Sequence, residues 1–98
     1  MSNDQVVVTH AEDRARYEAH VGGVLAGFAE YVRDGDVITF PHTEVDDSFG
    51  GQGVGSSLVR GALDEVSRQD VTVVPSCSFV RAYIERHPQY QTLLAPRA

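Results

Sequence analysis

Phe49-Gly50-Gly51-Gln52-Gly53-Val54-Gly55-Ser56-Ser57-Leu58-Val59 decides the fold, because four glycines in six positions run directly into a helical pattern. An apolar segment with strand character, Val37-Ile38-Thr39-Phe40, precedes it. Glycine lets a ligand approach the main chain, and the first N–H groups of a helix lack internal partners and carry partial positive charge. The combination predicts a backbone cradle for phosphate rather than only a flexible turn.

Two nucleotide-binding motifs are excluded by the residues around these glycines. A P-loop requires Lys and then Ser or Thr after its last glycine, and Ser56-Ser57 follow here without a Lys. A dinucleotide fingerprint that begins at Gly51 requires Gly or Ala where Ser56 stands, and one that begins at Gly53 requires it where Leu58 stands. The phosphate ligand is therefore of another kind.

The stretch resembles the pyrophosphate-binding motif of the GCN5-related N-acetyltransferases (GNAT), in which Arg or Gln is followed by two residues, Gly, one residue, and Gly or Ala. Gly53 and Gly55 match the glycines of that motif, whereas Gly50 stands where Arg or Gln is usual. Two further strings, His42-Thr43-Glu44-Val45 and the residues from Val74 to Tyr90, are similar to a subgroup of very small, YjdJ-like members of that family. The resemblance covers nearly the whole chain.

Length and composition predict a single domain over residues 1–98 with a thin hydrophobic core. One cysteine suits a reducing compartment, and no apolar run approaches the roughly 18 residues of a membrane span. The net charge of −6, with no Lys, argues against a nucleic-acid ligand. We therefore expect a cytoplasmic protein, a monomer or weak dimer, that binds neither nucleic acid nor a membrane.

The order of the predicted elements indicates an α+β domain. Hairpin signals at Gly22-Gly23 and Asp34-Gly35 join antiparallel strands, and a helix from Ser56 leads to a buried parallel strand and a second helix at Phe79–Arg86. The chain from Gln91 to Ala98 is expected to fray. The predicted strands are Val6–His10, Arg14–Val21 (with Ala15, Tyr17, Ala19 and Val21 on one face), Val24–Val32, Asp36–Val45 and Val71–Val74.

The resemblance implies a minimal GNAT fold, a mixed and mostly antiparallel sheet of about five strands with two helices packed on it. Pro41 inside the fourth strand indicates an edge, a bulge or the end of pairing. In the family the fourth strand splays from the fifth, and the pantetheine arm of the cosubstrate pairs with the opened edge. Pro41 is expected to mark that opening.

The resemblance further implies an acetyl-CoA-dependent N-acetyltransferase, in which an unidentified amine attacks the thioester directly. The alternative is a non-catalytic acyl-CoA-binding or sensing module, because the helices that wall the acceptor site in the family are missing and Gly50 replaces Arg or Gln. The residues expected to contact acetyl-CoA are Thr43, Val45, Gly51, Gln52, Gly53, Val54, Gly55, Ser56, Cys77 and Tyr83.

Four side chains are candidates for catalysis, and each has a structural alternative. Tyr83 matches the family tyrosine that donates a proton to the CoA sulfur, and otherwise is a core aromatic. Cys77 could accept the acetyl group, but we expect it only to line the cosubstrate channel. His42 and Glu44 share a strand face, and either could be the general base or could only form structural hydrogen bonds at the splay. As a base, His42 is favoured because histidine changes charge near neutral pH.

The remaining histidines carry no predicted chemistry. His87, followed by Pro88, is expected to cap the last helix and interact with its dipole. His10 and His20 are distant in sequence from each other and from the cysteine. Because no His or Cys cluster has the spacing of metal ligands, we expect no metal site.

Overall fold

Five strands form one sheet whose spatial order is their order along the chain. The computed structural model describes residues 6–50 and 52–94. The first four strands are antiparallel neighbours, and the fifth runs parallel to the fourth after a crossover helix. The elements are β1 (Val6–Ala11), β2 (Arg16–Val21), β3 (Val24–Asp34), β4 (Val37–Val45), α1 (Val54–Val66), β5 (Thr72–Val74) and α2 (Ser78–Arg86). The predicted mixed, mostly antiparallel sheet with two helices is confirmed.

Glycines shape the two predicted hairpins. Gly22 and Gly23 have φ angles of 57° and 81°, the positive values that a two-residue turn between antiparallel strands requires. In the second hairpin Asp34 still pairs with Val37, so the turn begins at Gly35, whose φ is 61°. The observed turn therefore lies one residue later than the predicted turn at Asp34-Gly35, because Asp34 is still paired and the left-handed residue comes after it.

The hydrophobic core lies between the sheet and α1. All five apolar residues predicted to face inward from α1 are buried, and Val54 joins them, so the helix begins two residues before the predicted Ser56. A Cβ on Gly61 would lie 2.8 Å from a methyl carbon of Val8, so only glycine allows α1 to approach β1 this closely. The five residues are Leu58, Val59, Ala62, Leu63 and Val66.

Two expectations near the chain ends are wrong. Ala15 is not part of β2, since it closes a 3₁₀ turn with a left-handed φ of 52°. The segment from Gln91 does not simply fray, since Pro88–Leu93 forms a 3₁₀ helix. Tyr90 and Leu93 bury their side chains in the core, and this burial orders a segment whose local sequence carries no strong signal. Residues 95–98 lie outside the described part of the chain.

Pro41 lies in a bulge of β4. Two residues of β4, Phe40 and Pro41, stand opposite the single residue Tyr31 of β3. Such a bulge leaves the extra residue unpaired, which suits a residue that has no N–H to donate. The flanking pairs are Val32 with Thr39 and Glu30 with His42.

The bulge reverses the faces of β4. Phe40, before it, is buried in the core. After the bulge Val45 packs against the core and the hydroxyl of Thr43 is buried, whereas His42 and Glu44 point to the face of the sheet opposite the helices and are exposed. One extra residue thus places alternate side chains of the same short segment on two chemically different faces.

β4 and β5 separate beyond this point. On the β4 side, the three residues of β5, Thr72–Val74, pair with Val37–Thr39 and no further along β4. The backbone N–H of Cys77 then donates to the Phe40 carbonyl at 2.8 Å. Among the described residues no strand pairs with the same edge of β4 from Pro41 to Val45. The splay expected at Pro41 is present.

Candidate functional site

The glycine stretch forms the turn into α1. Gly53 is its N-cap, with a left-handed φ of 73°, and the first intrahelical bond runs from the Ser57 N–H to the Gly53 carbonyl at 3.0 Å. The N–H groups of Val54, Gly55 and Ser56 therefore have no acceptor within the helix. A Cβ on Gly53 would meet nothing within 4 Å, so the space in front of this turn is open. Gly51, also predicted to bind here, lies outside the described residues.

The N-termini of the two helices meet at Gly55. A Cβ on this residue would lie 2.6 Å from the ring of Phe79, so the ring packs directly against the backbone of α1. Phe79 is nonetheless 43% exposed. Gln52 and Ser56 are exposed beside the same turn. Two helix N-termini, each with partial positive charge, therefore lie next to the opening between β4 and β5.

Thr43 and Cys77 line the inner side of this opening. Cys77 is the N-cap of α2, and its carbonyl accepts the helix's first bond from the Arg81 N–H at 3.0 Å. Thr43 Oγ1 is buried and makes no regular hydrogen bond with the described residues. It faces the Cys77 thiol, whose thiolate form it stabilises. A buried hydroxyl without a regular partner fits a polar ligand that enters the splay.

The thiol of Cys77 has an altered acidity. Burial alone would raise its pKa, but the backbone N–H of Val80, the Thr43 hydroxyl and the N–H of Phe79 favour the thiolate more strongly. The net pKa of Cys77 is therefore below its ordinary value. The groups that favour the thiolate therefore come from two elements, the first turn of α2 and Thr43 of β4.

His42 and Glu44 form a hydrogen-bonded pair on the opposite face of the sheet. The distance from His42 Nε2 to Glu44 Oε1 is 3.0 Å, and the side chains are 52% and 61% exposed. The ring of Phe28 contacts the imidazole edge to face, with centroids 6.1 Å apart. The expected sharing of one strand face is confirmed, and the two side chains also bond to each other.

Tyr83 is buried in the interface of α2 with α1. Its ring stacks on His87 at 3.9 Å, and His87 Nδ1 donates to the Tyr83 carbonyl at 2.8 Å, so His87 caps α2 as expected. Burial raises the pKa of Tyr83, Arg60 opposes the rise and Asp64 adds to it. The hydroxyl therefore keeps its proton at neutral pH. A cavity of about 390 Å³ adjoins it, lined by Arg60, Asp64, Tyr83, His87, Gln89 and Tyr90.

The site candidates fall into three groups. Thr43, Val45 and Cys77 lie at the splay on the helix side, beside the glycine turn, and His42 with Glu44 lies on the open face. Tyr83 forms the third group and faces α1, where its neighbours include Arg60, Asp64 and the rings of His87 and Tyr90. Sequence reasoning missed Phe28, because a lone aromatic carries no motif. It assigned no site role to Phe79, although Phe79 lies in the Val74–Tyr90 string, because only the interhelical contact shows that role.

Comparison with known proteins agrees with this geometry. Residues 16–93 match the sequence profile of the GCN5-related N-acetyl-transferase family. The chain belongs to this family. Protein NATD1 of Gallus gallus is 32% identical over 96 residues, which is 93% of this chain and 86% of the relative. Protein NATD1 of Mus musculus is 29% identical over 94 residues, 91% of this chain and 84% of the relative.

A solved structure confirms the GNAT fold. The solution structure of a GCN5-like protein from Staphylococcus aureus superposes with a TM-score of 0.68 over 100% of this chain and 94% of the other. The identity of the two sequences is 24%, so this likeness concerns the fold alone. The chain is thus a small GNAT domain with a five-stranded sheet. Within the described residues, no His, Cys, Asp and Glu side chains are grouped as metal ligands, and no helix is long and apolar enough to cross a membrane.

Proposed function

We propose that this chain transfers an acetyl group from acetyl-CoA to an amine that attacks the thioester directly. The observation that carries the proposal is the splay of β4 from β5 directly beside the glycine turn into α1. The splay offers an unpaired strand edge to an amide-containing arm, and the helix N-terminus offers unpaired N–H groups to a diphosphate. Coenzyme A carries both groups, and membership of the GNAT family supports the assignment.

The chain's own backbone supplies most of the cosubstrate contacts in this proposal. The N–H groups of Val54, Gly55 and Ser56, with Gln52 and Gly53 beside them in the turn, bind the diphosphate. The free edge of β4 at Thr43–Val45 pairs with the pantetheine amides, and one of its N–H groups polarises the thioester carbonyl. The Thr43 hydroxyl and the Cys77 thiol then lie along the channel, where Thr43 gains a polar partner.

His42 is assigned as the general base, with Glu44 as the residue that orients it. If Nε2 donates its proton to Glu44, Nδ1 of His42 carries the lone pair that accepts a proton from the attacking amine. The amine nitrogen bonds to the carbonyl carbon, the carbon–sulfur bond breaks, and the thiolate leaves. Both residues are exposed on the open face, so the acceptor approaches from the side opposite the helices.

Tyr83 is the proposed proton donor to the departing thiolate. Its raised pKa keeps the proton available at neutral pH. The assignment requires the end of the pantetheine arm to pass Cys77 and reach the interface of α1 and α2. The Tyr83 hydroxyl lies near Arg60 and Asp64, so it can reach the sulfur only if the pantetheine arm passes close to these residues. Tyr83→Phe tests this role independently of CoA binding.

A second candidate function is acyl-CoA binding or sensing without turnover. One observation favours it: within the described residues no helix covers the open face, so the His42–Glu44 pair has no acceptor wall around it. Gly50, where the family motif has Arg or Gln, adds no side-chain donor for the diphosphate. Both candidate functions require the same splay and the same turn.

Two measurements separate these functions. Isothermal titration with CoA tests the binding site that both share, and absence of binding would refute both. Thiol release from acetyl-CoA, followed with a chromogenic disulfide against a panel of primary amines, then tests transfer. We expect amine-dependent release that is lost in His42→Ala while CoA still binds. Tight CoA binding with no release above the amine-free rate would favour the sensing module.

A further inference from the structure

Glu18 is buried although its side chain lies on the face of the sheet that the helices do not cover. Its position in β2 points to the open face of the sheet, yet the residue is only 5% exposed. The Nε atoms of Arg16 and Arg14 donate to the same oxygen of Glu18, Oε2, at 2.8 Å and 3.1 Å. A buried carboxylate is costly unless it is paired and hydrogen-bonded, as the Glu18 carboxylate is here. The proposed chemistry uses none of these groups directly.

Arg16 covers the ring of Phe28. The guanidinium carbon lies 4.4 Å from the ring centroid, within the range of a cation–π contact. Glu18 is the direct cross-strand partner of Phe28, so the ring lies beside Glu18 and beneath Arg16 on the β2 side. The arginine, held by Glu18, therefore confines the phenyl ring from above.

Phe28 meets the proposed base on its other side. Glu44 is its direct partner on β4, and the imidazole of His42 lies edge to face with the ring. A side chain as exposed as His42 would otherwise exchange among rotamers, and each exchange would break its bond to Glu44. On this open face the neighbours of His42 include Phe28, Glu44 and the cross-strand partner Glu30.

We propose that Glu18, Arg16 and Phe28 form a brace that positions His42 for proton transfer. The brace is a chain of contacts across three strands: Glu18 fixes Arg16, Arg16 confines Phe28, and Phe28 holds the imidazole in the rotamer that bonds Glu44. The inference rests on the proposed function only for the catalytic use of His42. The ordering of its side chain is a property of the protein alone.

The first test is structural and needs no activity. In aromatic NMR spectra we expect cross-relaxation between the Phe28 and His42 rings and a single His42 χ1 rotamer in the wild-type chain. Phe28→Leu should average that rotamer, and Phe28→Tyr should restore it by keeping the ring. A His42 rotamer that stays fixed in Phe28→Leu would overturn the brace, whatever the protein's activity.

A matched pair of arginine substitutions tests whether the brace depends on Arg16 covering the Phe28 ring. Arg16→Gln and Arg14→Gln each remove one guanidinium from Glu18, but only Arg16 covers Phe28. We expect Arg16→Gln to average the His42 rotamer and Arg14→Gln to leave it fixed. If both substitutions average the rotamer, the pairing of the Glu18 charge rather than the covering of the ring controls His42, and if neither does, Arg16 has no effect on His42; either result would refute the proposal.

Kinetics provide the last readout. Misplacing the base should lower kcat about tenfold in Phe28→Leu with the KM for acetyl-CoA unchanged, because the cosubstrate binds on the other face. Phe28→Tyr should recover most of that loss. A wild-type chain without transferase activity would refute the proposed function while the NMR result still decides the brace. Full kcat in Phe28→Leu, with His42→Ala inactive, would refute the brace alone.

Discussion

Replacing Gly53 by alanine tests the diphosphate site against a control within the same chain. Gly53 and Gly35 both have positive φ, 73° and 61°, and a Cβ on either would meet nothing within 4 Å. A left-handed conformation costs an L-residue about 1–2 kcal/mol, and no steric clash adds to it at either site. Gly53→Ala and Gly35→Ala should therefore lose similar stability, with Tm falling by roughly 4–8 °C per kcal/mol in a domain of this size.

CoA affinity should separate the two variants. Gly35 lies in the β3–β4 hairpin, whereas the Cβ of Gly53→Ala would stand in the open space before the first turn of α1. Losing one or two charge-assisted bonds of about 1.5–3 kcal/mol each should weaken CoA binding by at least roughly tenfold. Isothermal titration below both melting temperatures measures this directly. Equal CoA affinities for the two folded variants would refute the glycine-turn site.

Three further predictions concern single side chains. Tyr83→Phe should lower kcat about 10²-fold with little change in CoA affinity, by steady-state kinetics, and an unchanged kcat would exclude Tyr83 as the acid. Cys77→Ala should remain active, and after incubation with acetyl-CoA the intact masses of wild type and variant should show no acetyl adduct at Cys77. An adduct seen only in the wild type, together with inactivity of the variant, would indicate an acetyl-enzyme. The Arg16 bond lowers the pKa of Glu18, so its stabilising effect is present above the unfolded pKa of about 4.3 and is lost as pH falls through the folded value. The stability gap between wild type and Glu18→Gln, by urea unfolding, should shrink accordingly as the pH falls below the unfolded pKa.

The sequence predicts those parts of the fold that local residues determine. Gly22-Gly23 has the positive φ angles that its hairpin needs, and the apolar positions from Leu58 to Val66 are the buried stripe of α1. The 3₁₀ segment at Pro88–Leu93 was not predicted, because it is ordered by burial of Tyr90 rather than by its own propensity. Ala15 likewise reads as a strand residue by alternation, and only the turn geometry shows otherwise.

The candidate site divides in the same way. The glycine turn can be predicted from the sequence, because such a density of glycines at the start of a helix favours a phosphate-binding turn. The burial of Glu18 cannot be predicted in this way, since a charged residue in a strand indicates a solvated face, and only the structure shows that Arg14 and Arg16 fold over the carboxylate. Contacts across β2, β3 and β4 depend on register, which a bulge shifts by one residue at each of two places.

Pro41 links the sequence, the fold and the proposed chemistry. A proline in a strand interior indicates a bulge or the end of pairing, and here both occur together. The end of pairing with β5 leaves the strand edge that the pantetheine arm is proposed to use. The bulge turns Thr43 toward that opening and His42 toward the other face, so cosubstrate and acceptor can approach opposite sides of one strand. Without the extra residue, the side chain of His42 would point into the core, as that of Phe40 does.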